Sequence, residues 1–279
     1  MMQKFSNTWS LMGASWEVLK KDREMLIFPL ISGICCLLIL LSFSLPIFLS
    51  GSWQTIGDET STDQSVMYYI LLFAFYFCNY FVIVFFNSAI VSCATIRMRG
   101  GDPTVRDGLR TAVARLPLIA GWALVAATVG IVLRIVEDKS KGVGKIVIAL
   151  LGMAWTLSSF LVVPIMVVER INPLDALKKS ASMFKKTWGE QIIGSFSFGL
   201  VFFVLGIPAF LLILLGMVSG STAILVSLFF LAAIYFITLA LVQSTLQTIF
   251  QAALYLYSRN GQAPQGFSED LLNNSIAHK

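Results

Sequence analysis

Long apolar runs without charge alternate along the chain with short stretches that carry nearly all of its Lys, Arg, Asp and Glu. Met25 to Gly57 is charge-free, as is Gln64 to Ile96; Leu116 to Leu133 is an 18-residue run held between Arg115 and Arg134, and Ile146 to Val168 follows. Gln191 to Ser258 is uncharged over 68 residues. A bilayer core of about 30 Å needs about 20 helical residues at 1.5 Å each, so the first four runs are each one span. The last would extend roughly 100 Å as one helix and must hold at least two. Its natural break is Gly216 to Ser221, GMVSGS, where glycine and serine interrupt the Leu/Phe/Ile pattern. The predicted spans are therefore 26–49, 66–92, 116–136, 146–168, 191–217 and 222–250. Segments of about ten residues with alternating polarity, which a membrane β-barrel requires, do not occur.

The pattern predicts an all-α fold: a polytopic membrane helix bundle of six transmembrane helices. The first run is longer than the 7 to 15 or so residues of a signal-peptide core and follows 24 mostly polar or amphipathic residues, so it is read as a retained helix. Residues 1–260 are expected to form one integral membrane domain and 261–279 a flexible cytoplasmic tail.

Composition agrees with a lipid environment, since 57% of the residues are hydrophobic and 13% charged, against roughly a quarter charged in a soluble domain. The net charge of +5 does not point to nucleic acid, because the basic residues sit in short clusters between spans. Those clusters orient the chain. With the N-terminus inside, 16 Lys and Arg fall in inside segments and only 4 outside, all in the turn from Arg134 to Lys145. Both termini are expected in the cytoplasm, in a cell membrane.

The inside clusters have helical periodicity. Phe5, Trp9, Met12, Trp16 and Leu19 recur at steps of three and four before the first span, and Leu174, Leu177, Ala181, Phe184 and Trp188 do so before the fifth. A shift of 165 residues superposes Trp9 on Leu174, Ser15 on Ser180 and Lys20-Lys21 on Lys185-Lys186. A third such segment runs from Asp102 to Leu116, with Val105, Leu109, Val113 and Leu116 on one face. Asp102-Pro103 and Asn172-Pro173 each read as an N-cap followed by Pro at the first helical position. The pattern predicts three units, 1–100, 101–171 and 172–260, each a cytoplasmic-face amphipathic helix followed by a transmembrane hairpin.

The stretches FFNSAIVSCATIRMRGGDPTVRDGL, ARLPLIAGWALVAATVG and FLVVPIMVVERINPLDALKKSASMFKKTWGE resemble a family of bacterial and archaeal six-helix integral membrane proteins of unknown function. The last stretch also resembles, distantly, the membrane-domain module attached to some glycerophosphodiester phosphodiesterases. The resemblance runs from residue 5 to about 257 and implies architecture only.

Chemistry-bearing groups are sparse. The one histidine, His278, lies next to the C-terminus, which argues against a His-based metal site or catalytic triad. There is no phosphate-binding GxxxxGK[ST] loop and no CxxC pair; Cys35, Cys36 and Cys78 fall within spans and Cys93 at a span end. Every acid lies in a loop or at a span end, so a proton relay or cation site in the membrane is not expected. No catalytic residue, metal or cofactor is assigned.

Two features stand above this background. Lys178, Lys179, Lys185 and Lys186, near Glu169, Arg170 and Glu190, are candidates to contact anionic lipid head groups. Gln243, Gln247 and Gln251 form a polar row at steps of four on the last helix. Three functional readings follow: a non-enzymatic structural, assembly or regulatory membrane protein that interacts with lipid; a transporter or channel for a small neutral solute or a lipid; and, third, an enzyme acting on lipids. Pro46, Pro164 and Pro208 inside spans favour the second, because a broken helix exposes backbone carbonyls.

Overall fold

A computed structural model describes residues 2–49, 62–187, 198–269 and 272. Among them the regular structure is helical throughout: α1 Met2–Lys21, a 3-10 turn Arg23–Leu26, α2 Ile27–Leu49, α3 Thr62–Met98, α4 Val105–Val113, α5 Leu116–Lys139, α6 Val143–Ser159, α7 Val162–Glu169, α8 Pro173–Thr187, α9 Phe198–Val218 and α10 Thr222–Asn260. Six stretches are long and apolar enough to cross a membrane: Arg23–Pro46, Met67–Met98, Leu116–Lys139, Val143–Glu169, Val201–Val218 and Thr222–Asn260. The expected all-α bundle is therefore present, with six candidate spans among the described residues, and the break at GMVSGS is a turn with Gly220 at φ +66°. The first outside loop and the start of the fifth span lie outside the described residues.

The fourth span differs from a plain helix. Pro164 has no N–H and its ring crowds the carbonyl of Phe160, so the helix parts at Phe160–Leu161 into α6 and α7. The buried N–H of Leu161 is satisfied by donating to Ser180 Oγ of α8 at 3.1 Å. Pro46 and Pro208, by contrast, remain inside continuous helices.

The described chain falls into two compact units, one of Met1–Leu26, Ala94–Pro103 and Lys185–Lys279, the other of Ile27–Cys93 and Thr104–Phe184. In the first, α9 and α10 form a hairpin against which α1 packs. The hairpin closes through small residues. Ala209 and Ala232 are fully buried, and a Cβ on Gly206 or Gly216 would meet Phe236 at 3.3 Å or Leu225 at 3.2 Å. In the second unit, Trp122 of α5 stacks on Trp155 of α6 at 5.6 Å, and α4 lies so close to α3 that a Cβ on Gly108 would meet Cys93 Sγ at 2.8 Å and the carbonyl of Ala89 at 3.0 Å.

The three short helices bury their predicted faces only in part. α1 buries Met12 and Leu19 of that face together with Leu11, Ser15 and Val18 beside it, while Trp9 and Trp16 are 63% and 42% exposed. α4 buries Gly108 and Ala112 and leaves Val113 exposed; α8 buries Ala176 and Ser180 and leaves Leu174 exposed. Small side chains permit close approach and so end up inside, although their low hydrophobicity hides them from a periodicity count. The α4 cap also differs: the N-cap is Thr104, not Asp102, in a reciprocal box with Asp107. α8 does begin at Pro173 as expected.

A short helix followed by two apolar spans recurs three times in the element order. Each second span ends in a left-handed residue, Gly100 (φ +87°), Arg170 (φ 59°) and Gly261 (φ +70°). A proline stands three residues after each, at Pro103, Pro173 and Pro264. The segment expected as a flexible tail is tied down where it starts, since Gln265 N–H donates to the Met98 carbonyl at 3.2 Å and Phe267 and Leu272 are buried.

Candidate functional site

Charge gathers at the helix ends next to the short helices. In the second unit, Glu169 closes α7 and receives Lys179 Nζ on both carboxylate oxygens, at 2.7 and 2.6 Å. Lys179 is thereby neutralised within the protein. Lys178 projects outward, with Asp175 a loose 3.7 Å away. Arg115, immediately before α5, donates from Nε to the Val167 carbonyl at 3.4 Å. Burial pushes its pKa down, and the neighbouring charge of Arg170 lowers it further. Arg170 is exposed and held in the left-handed region. The arrangement sets Arg115, Arg170 and Lys178 at one end of this unit with an excess of positive charge. Side chains of Lys185 and Lys186, and Glu190 and His278 altogether, lie outside the described residues.

The first unit holds a tighter cluster. Arg97, near the end of α3, donates to both carboxylate oxygens of Asp22, and also to Asp102. Two carboxylates thus face one guanidinium, Asp22 through both of its oxygens and Asp102 through one. The Asp22 side chain is only 8% exposed and that of Arg97 21%, so the pair is largely shielded from water. The two residues stand 75 positions apart, and nothing in the sequence pattern points to their pairing.

The row Gln243, Gln247 and Gln251 lies on the half of α10 farther from Thr222, each side chain half-buried and flanked by the buried Thr245, Thr248 and Ala252. Thr245 and Thr248 donate to the carbonyls four residues before them, so they need no partner across the helix. Large exposed apolar side chains on α10 stop at Ile237. Among the described residues no three His, Cys, Asp or Glu side chains are grouped so as to hold a metal ion.

A family model, described as a family of unknown function, DUF6159, matches residues 66–266. The chain belongs to the DUF6159 family. The match spans all three stretches that carry the resemblance and includes the charged end of α7–α8, Arg97 and the glutamine row. No curated protein matches, and no solved structure matches.

Proposed function

We propose that this DUF6159 member is a non-enzymatic component of the cytoplasmic membrane, with both termini in the cytoplasm, that organises or senses anionic lipid through the basic ends of its short helices. The observation that carries this reading is Arg170. Glycine occupies the left-handed position at the ends of the first and third hairpins, and an L-residue there costs about 1 kcal/mol. Arg170 takes that conformation while exposed, beside Arg115, with the outward-pointing Lys178 on the helix that follows. Strain of this kind persists where a side chain is needed. A cationic cluster at the cytoplasmic leaflet meets anionic phosphate.

The test uses the full chain in nanodiscs that mix phosphatidylglycerol and phosphatidylcholine. Arg170→Gly is expected to raise thermal stability slightly, because strain is released, and to weaken retention of phosphatidylglycerol by about fivefold, the effect of one basic residue at an anionic surface. Retention unchanged in Arg170→Gly, and again in Arg170→Gly with Lys178→Gln, would overturn the proposal. Transport of a solute has less support: the helix break at Phe160–Leu161 is closed by Ser180 rather than open to a cavity.

A further inference from the structure

The first unit contains a cavity of about 390 Å³ where α1 crosses the α9–α10 hairpin, its walls including Trp9, Gly13, Trp16, Leu205, Tyr235 and Val242. A volume of this size lies within the range of small-molecule sites, which begins at about 300 Å³. The walls offer a polar ligand nothing. Tyr235 donates its hydroxyl to the Leu205 carbonyl at 2.6 Å and Thr238 to Ile234 at 2.9 Å, so both are already satisfied. Gly13 widens the space. It sits mid-helix, where glycine is unfavourable, yet its φ is ordinary and a Cβ there would meet nothing within 4 Å.

Position and charge identify the occupant. Tyr235 to Leu246 lie about 20 to 36 Å along α10 from Thr222, so they begin in the far third of a core of about 30 Å and run just past its end. The cavity therefore opens from the acyl chains of one leaflet toward its head groups. Two indoles, Trp9 and Trp16, line it while remaining partly exposed, as aromatic side chains do at the boundary between hydrocarbon and head groups. Lys20 continues the same stripe four residues after Trp16 and shares an exposed ion pair with Glu17 at 2.6 Å, a kind that adds little stability and exchanges readily, and Lys21 adjoins it, both in the last turn of α1. A phosphate beside these lysines and a hydrocarbon chain beside the indoles are the two ends of one molecule.

We infer that the α1/α9/α10 cavity binds one acyl chain of a phospholipid with an anionic head group, its phosphate beside Lys20 and Lys21. The inference deepens the lipid reading above and rests on it for the side of the membrane.

The experiment places the full chain in phosphatidylcholine nanodiscs with a trace of phospholipid carrying a photoreactive diazirine in mid-chain, as phosphatidylglycerol or as phosphatidylcholine, and maps the crosslinked peptides. The phosphatidylglycerol probe is expected to mark residues 9–16 and 235–246 above the rest of the apolar surface, and to do so about fivefold more than its phosphatidylcholine counterpart. Gly13→Leu, which fills the space and favours helix, is expected to reduce this labelling to the level of the general lipid surface, as is Val242→Phe from the opposite wall. Gly33→Leu on α2, where a Cβ also meets open space, serves as the control and leaves it unchanged. Uniform labelling over all spans, labelling that survives both filling substitutions, or equal labelling by the two head groups would overturn the inference. Labelling that is lost in Gly13→Leu while Arg170→Gly leaves phosphatidylglycerol retention intact would overturn the earlier reading and leave this one standing.

Discussion

Arg97 clasps Asp22 with two parallel N–H donors from a position 75 residues away, joining the end of α3 to the residue that follows α1. The pair is shielded from water, and Asp102 takes a further hydrogen bond from the same guanidinium. Removing one partner of a shielded pair leaves the other charge uncompensated, at a cost of about 3 kcal/mol. Arg97→Ala, which strands the buried Asp22, is expected to lower stability in detergent by that order, and Asp22→Ala by less, because Arg97 keeps Asp102. Arg97→Lys is expected to recover only part of the loss of Arg97→Ala, because an ammonium cannot match the planar fork. Changes below about 0.5 kcal/mol, the size typical of exposed ion pairs, would show that water reaches the pair freely.

The fold was legible because its signal is strong: five charge-free runs of about bilayer length or more, the last long enough for two crossings, leave few alternatives, and six helices long and apolar enough to cross a membrane are found among the described residues. The faces of the short helices were only partly so. Trp9 and Leu174 dominate a hydrophobicity count, yet they are exposed, while Ser15, Gly108, Ala112, Ala176 and Ser180 are buried alongside the expected Met12 and Leu19. Where α4 and α8 pack most closely, contact distance decides what is inside, and Gly, Ala and Ser enter by size. The shift of 165 residues that superposed Ser15 on Ser180 also superposes Leu11 on Ala176, so the register was available before the faces were. Of the candidate lysines, Lys179 proves to be spent on Glu169, ten residues earlier, a pairing that depends on the left-handed turn at Arg170 and that no spacing rule reveals. The cavity was equally hidden, since it is made by residues from three separate helices.

Ser180 substitutes for the acceptor that Leu161 loses at the helix break. Ser180→Ala leaves a buried N–H unpaired and is expected to destabilise the chain by about 2 kcal/mol, whereas Ser182→Ala, on the exposed side of α8, should change little. Thermal unfolding in detergent measures both. Equal effects would mean that the Leu161 N–H finds another acceptor when the helix shifts.

Thr104 and Asp107 hold each other's backbone N–H groups at the start of α4. These hydrogen bonds, from the Thr104 hydroxyl first and its backbone second, lower the Asp107 pKa. A carboxylate with a depressed folded pKa adds stability above its ordinary pKa, near 4, and loses that contribution as pH falls through the lower folded value. Thr104→Ala is therefore expected to cost about 1 kcal/mol at neutral pH, and less as the solution is acidified below about pH 4. A penalty that grows on acidification would contradict the assignment of the charged carboxylate to the cap.

Orientation is tested independently. In a background without the four native cysteines, a cysteine replacing Ser219 in the α9–α10 turn is expected to react with an impermeant thiol reagent from outside the cell, and one replacing Thr104 or Ala181 is not. Labelling of the Thr104 position from outside would invert the topology and with it the cytoplasmic placement of Arg170.

The glutamine row gives the last prediction. An amide facing hydrocarbon without a partner costs several kcal/mol, so Gln243, Gln247 and Gln251 must meet protein, water in a cavity or the aqueous interface. About 20 residues from Thr222 bring α10 only to the region of Leu241, and its large exposed apolar side chains end at Ile237. Beyond that point the helix is flanked by buried Leu246, Ile249 and Phe250, with the three amides half-buried among them. A row in this position can be hydrated at the membrane interface through the exposed part of each amide. Replacing all three with Leu is expected to move the thermal midpoint by only a few degrees, since a half-exposed amide exchanges water for little in the folded state. A collapse of stability would show instead that the amides join helices together. Full stability combined with loss of a measured solute flux would favour the transporter, because only residues lining a path lose function while packing is spared.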